Sequence, residues 1–75
     1  MALTVISGPQ LKALRLRAGL STERVALAIG RSAYSIQEYE RGRVHPPVHV
    51  LLSLAEVFGC SLNDLVTDAE LAGVA

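Results

Sequence analysis

The side chains able to do recognisable chemistry in this 75-residue sequence concentrate between Leu20 and His45. Ser21-Thr22 and Ser32 stand where two short helices would begin. The free N–H groups of a helix start carry partial positive charge, so a hydroxyl beside them suits a phosphate. Arg31, Arg41 and Arg43 flank the second of these starts, and Tyr34, Gln37 and Glu38 lie between them. Guanidinium groups and hydroxyls hold a phosphate backbone, while Gln and Glu side chains at helical spacing can read base edges. Bond-making chemistry has no comparable support. No Ser, Cys or carboxylate has a recognisable base or metal partner, and a chain this short seldom holds both a core and a substrate cleft, so no enzyme is expected. His45 and His49 are four residues apart, but only Cys60 could join them, which leaves a tetrahedral metal site incomplete. No metal, cofactor or small-molecule ligand is expected. His45 is expected near a phosphate backbone, His49 in solvent, and Cys60 as a buried, inert thiol.

These side chains need elements to hold them, and Gly and Pro divide the chain into helix-sized pieces. Gly8-Pro9 opens a first helix with Leu11, Leu14 and Ala18 on its inner face, and Gly19 stops it. Ser21 caps a second, with Val25, Ala28 and Ile29 inward and Ala26 small enough for close packing; Gly30 ends it. Ser32 caps a third, which runs to Gly42. Placing Ile36, Tyr39 and Glu40 inward leaves Ala33, Tyr34, Gln37, Glu38 and Arg41 on the outer face. Pro46-Pro47 starts a fourth, with a stripe of Leu51, Leu54, Ala55 and Phe58, and Gly59 ends it. Ser61-Leu62-Asn63-Asp64 fits a capping box for a short fifth helix burying Leu62, Leu65 and Val66. Only Leu3 to Ile6 has any strand character, and residues 67–75 read as a weakly helical or frayed tail. The expected organisation is an N-terminal arm over 1–8, a helical domain over 9–66 and a C-terminal tail over 67–75.

Composition agrees with a compact all-α domain. Half the residues are apolar, which excludes disorder, and 22 of them are Leu or Ala against three aromatics, which favours helices over sheets. No run is long enough for a membrane span, and the opening MALTVISG lacks a basic secretory n-region. The single Cys suits a reducing, cytoplasmic setting. Net charge is zero but polarised: residues 1–45 carry +4, with all seven basic side chains, and residues 46–75 carry −4. Such a molecule can meet a polyanion with one end only.

The unit from Leu20 to Gly42, two capped helices around Gly30-Arg31-Ser32, is the helix-turn-helix pattern. In that motif the first helix crosses the backbone and the second presents its N-terminal turns to the major groove. From Leu11 to Val66 the sequence resembles the Cro and Xre type of helix-turn-helix domain, the lambda-repressor-like fold. The resemblance is carried by an Arg before Gly19-Leu20-Ser21, Val25-Ala26 before Ile29-Gly30, Ser35-Ile36, Glu40-Arg41-Gly42-Arg43, Leu54-Ala55 and Phe58-Gly59-Cys60-Ser61-Leu62. It implies five helices, binding to double-stranded DNA, and a homodimer on a palindromic operator.

It also implies a buried ion pair between Arg15 and Glu40 and base contacts from Ala33, Tyr34, Gln37 and Glu38. Phosphate contacts are expected from Thr22, Arg31, Ser32, Arg41, Arg43 and His45, and dimer contacts from Leu62, Leu65, Val66 and Leu71. Thr22 replaces a common Gln, Ala33 offers a base only an apolar contact, and Pro47 replaces a hydroxyl cap. The expected function is a transcriptional regulator, a repressor acting by promoter occlusion. An antitoxin or restriction–modification controller is the alternative within DNA binding, and a protein-interaction module with the same fold the alternative outside it.

Overall fold

A computed structural model of the chain describes residues 4–68. Four helices occupy its centre: α1 (Gly8–Arg17), α2 (Thr22–Ile29), α3 (Ala33–Glu40) and α4 (Val48–Phe58). A 3-10 turn (Leu62–Asp64) follows, and two short strands, β1 (Thr4–Ile6) and β2 (Val66–Asp68), pair antiparallel with Ile6 opposite Val66.

Local chemistry explains each helix boundary. The hydroxyls of Ser7, Ser21 and Ser32 accept from the backbone N–H of Gln10, Arg24 and Ser35 at 3.2, 3.1 and 3.1 Å, which satisfies one otherwise unpaired donor per helix. Pro9 sits in the first turn of α1, where its missing N–H costs nothing. Pro47 occupies the cap position of α4 and supplies no side-chain bond.

The core consists of Leu11, Leu14, Val25, Ala26, Ile36, Tyr39, Val50, Leu54, Ala55 and Leu65. Truncating a fully buried member such as Leu11, Ile36 or Leu54 to Ala would cost about 2–5 kcal/mol. Packing departs from the sequence expectation at identifiable positions. Ala18 is exposed, because α1 ends at Arg17 and Ala18 only caps it. Ala28 is exposed, because the buried arc of α2 is centred on Val25, Ala26 and Ile29 and Ala28 lies roughly 100° from that centre. Val50, absent from the expected α4 stripe, is buried one turn before Leu54.

The expected fifth helix is the largest correction. Asp64 accepts from both the N–H and the hydroxyl of Ser61, at 3.0 and 3.1 Å, which winds a single 3-10 turn. Leu65 then enters the core, and the backbone finds its next partners across the β1–β2 ladder rather than along a helix axis. The Ser7 N–H donates to the Leu65 carbonyl at 3.4 Å and the Gln10 amide to that of Asp64 at 3.1 Å, so the two ends of the described chain are tied together. Val66 is therefore a strand residue, and residues 67–68 of the expected tail continue that strand. Among the described residues no helix is long and apolar enough to cross a membrane.

Candidate nucleic-acid interface

The turn between α2 and α3 is short because Gly30 adopts the left-handed conformation (φ 72°) and Ser32 immediately caps the next helix. The packing of α2 on α3, through Val25, Ala26 and Ile36, fixes the two helices relative to each other. The face of α3 opposite Ile36 and Tyr39 is left outside.

A bidentate ion pair braces this unit against α1. Arg15 donates from Nε to Glu40 Oε2 at 2.6 Å and from Nη2 to Oε1 at 3.2 Å, and its Nη1 donates to the Leu20 carbonyl at 2.8 Å. Both side chains are about nine-tenths buried. The bond to Glu40 raises the pKa of Arg15 despite the opposing effect of burial, so Arg15 keeps its charge. Arg15 thus secures the end of α3 and the entry to α2 with one guanidinium group.

Beside this pair lies an open cleft of about 310 Å³ lined by Lys12, Arg15, Thr22, Gln37, Glu40 and Arg41. It brings together Thr22 at the start of α2, Gln37 on α3 and Arg41 at its end, three residues expected to meet one ligand. Lys12 was not among the expected contacts. Its signal was available, because it stands three residues before Arg15 and so shares that face of α1.

The remaining expected residues are placed unevenly. Tyr34 is exposed, as are Arg31, Ser32, Arg41, Arg43 and His45. Ala33 is half-buried and packs on the core, which reduces what it can offer to a base. Glu38 departs furthest from expectation: it is buried, with Tyr34, Arg41 and Arg43 around its carboxylate. A free acceptor on the outer face is therefore the wrong picture. His49 is engaged as well, its Nε2 lying 3.1 Å from Nη2 of Arg31. Among the described residues no three His, Cys, Asp or Glu side chains converge as metal ligands.

Of the expected dimer contacts, Leu62 is exposed on the 3-10 turn, whereas Leu65 is fully buried within its own chain and cannot face a partner. Val66 is placed only by its strand register opposite Ile6, and Leu71 lies outside the described residues.

The whole arrangement has counterparts. Residues 8–67 match the family model described as a helix-turn-helix domain. The chain is 34% identical over 64 residues to the HTH-type transcriptional regulator DdrOP3 of Deinococcus deserti, a match covering 85% of this chain and 50% of that protein. The chain thus spans half the length of this curated relative. Among solved structures it is similar to the P22 c2 repressor protein in complex with synthetic operator 9T (TM-score 0.71, 25% identity, covering 75% of this chain and 85% of that one). It is also similar to the restriction–modification controller protein C.AhdI from Aeromonas hydrophila (TM-score 0.72, 28% identity, covering 76% and 86%).

Proposed function

Because the chain belongs to the helix-turn-helix domain family, of the Cro/Xre type, we propose that it is a sequence-specific DNA-binding regulator of transcription, a repressor that occludes a promoter. The observation that carries this reading is the outer face of α3, where Tyr34 and Gln37 stand between a capped helix start and exposed arginines. Tyr34 and Gln37 would read bases in the major groove. Thr22, Lys12, Arg31, Arg41 and Arg43 would hold phosphates, with Ser32 and His45 beside them. The similarity to a repressor bound to an operator supports the DNA-binding reading as a whole.

The protein would act as a homodimer on a two-fold operator, with recognition helices about 34 Å apart, one turn of B-DNA. Of the two expected contacts whose burial is described, Leu62 has the exposed side chain available for that interface and Leu65 does not. A controller of restriction–modification genes is the second reading, favoured by the likeness to C.AhdI.

Selection of bound sites from a random duplex pool tests the proposal. A two-fold motif with half-sites one turn apart is expected, together with binding that weakens steeply as salt rises. Failure to enrich any sequence, with salt-insensitive capture of a protein instead, would favour the protein-interaction module. Leu62→Asp is expected to shift the sedimenting species toward monomer; an unchanged dimer would place the interface elsewhere.

A further inference from the structure

The strongest arrangement left unexplained is the carboxylate of Glu38. Gly42 adopts the left-handed conformation (φ 75°) and turns the chain back, so that the Arg43 N–H donates to the Glu38 carbonyl at 3.0 Å. That reversal brings Arg43 Nη1 to 3.8 Å from Glu38 Oε2, and Arg41 Nη1 donates to the same oxygen at 3.4 Å. The other oxygen, Oε1, accepts from the hydroxyl of Tyr34 at 3.2 Å. The Glu38 side chain is 8% exposed, while those of Arg41 and Arg43 are 55% and 67% exposed. The acid is covered and its cations face outward.

We infer that Glu38 is a positioning residue that restrains Arg41 and Arg43 and competes with phosphate for them, which limits binding to DNA of arbitrary sequence. The inference rests on the DNA-binding reading above. Accepting from a cytosine would require Glu38 to surrender the Tyr34 bond or to displace the side chains that cover it. Holding two exposed guanidinium groups requires no movement. A carboxylate beside them subtracts from the field that a phosphate meets and takes up an N–H donor of Arg41 that a phosphate would use. Binding without sequence preference depends almost wholly on such charge contacts, whereas contacts from Gln37 to base edges do not. Glu38 therefore lowers affinity for DNA of any sequence by a similar factor, and it is the non-specific background that has no base contacts to draw on instead.

The test is Glu38→Gln, which removes the charge and keeps an acceptor for Tyr34. Affinity is measured by fluorescence anisotropy at several salt concentrations, on a random-sequence duplex and on the duplex selected from the pool, after thermal melts confirm folding. Random-duplex binding is expected to tighten about 5-fold at low salt. The slope of log affinity against log salt should steepen by about 0.9 for each arginine released, on both duplexes, so the ratio of selected to random affinity should change little. Adding Arg43→Gln should remove part of the gain, and adding Arg41→Gln as well should remove most of it. Unchanged random affinity and slope would overturn the inference. So would weaker binding confined to the selected site, which is the mark of a lost base contact.

If Glu38→Gln does not fold, Arg43→Gln alone decides. Because Glu38 already restrains that charge, the slope should flatten by clearly less than 0.9, and a flattening of the full amount overturns the inference. A parent protein that binds neither duplex overturns the DNA-binding reading and this inference together. A parent that binds both while Glu38→Gln matches it overturns this inference alone.

Discussion

Arg15 and Glu40, 25 residues apart, are joined by two hydrogen bonds with little of either side chain exposed, and Arg15 also holds the Leu20 carbonyl. Removing one member leaves the other as a buried, uncompensated charge. Glu40→Gln and Arg15→Met are each expected to destabilise the domain by about 3 kcal/mol. Chemical denaturation measures this, and curves superimposing on the parent's would refute it.

Gly8 is a second point of contact between α1 and α3. A β-carbon there would fall well inside contact distance of the Glu40 carbonyl oxygen and crowd that of Tyr39. Ala is ordinarily favoured over Gly in a helix by about 1 kcal/mol. Here Gly8→Ala should instead destabilise by about 1–3 kcal/mol, because the obstacle is backbone, which cannot rotate away. A variant as stable as the parent would mean that the end of α3 gives way without cost.

Gln37 stands where α3 meets the cleft beside Thr22 and Arg41. Its amide can form a bidentate pair with adenine. Gln37→Ala is expected to cost about 1–3 kcal/mol on the selected duplex and little on random DNA. Equal losses on both would assign Gln37 to holding rather than reading.

Cys60 is half-buried after α4, and burial pushes its thiol pKa up; Asp64 adds to the rise and Arg17 opposes it. A group whose folded pKa is raised contributes stability that is full below its unfolded value, about 8.5, and is lost as pH rises through the folded value. The native thiol should therefore react with iodoacetamide more slowly at pH 8 than the same thiol in urea. Equal rates would show that the thiol is neither covered nor shifted.

Much of the helical frame was legible before any coordinates. Ser21 and Ser32 bond to N–H groups three residues on, and Gly30 and Gly59 end their helices with positive φ, all within one turn of chain. The candidate site was legible in membership and less so in arrangement. Tyr34, Gln37, Arg41 and Arg43 do lie around α3, but helical spacing placed Glu38 on an open face. Its cover comes from Tyr34 one turn earlier and from Arg43 beyond a glycine reversal. Lys12 shares a helix face with Arg15 in the sequence, but its place beside Thr22 and Gln37 exists only after α1 docks.

The sequence alone determined where helices start and stop, the inward faces around Leu11, Leu14, Val25, Ile36, Tyr39 and Leu54, and the polarised charge, because each depends on residue type and on neighbours within a few positions. Only the tertiary structure decided that Leu65 turns inward, that Val66 pairs with Ile6, that Gly8 packs against the backbone of Glu40 and that Arg43 closes on Glu38. The first three of these depend on groups from about 30 to 60 residues apart, whose meeting no local propensity encodes. The last depends on the reversal at Gly42, which brings Arg43 back to a carboxylate that Tyr34 and Arg41 already hold through helical spacing.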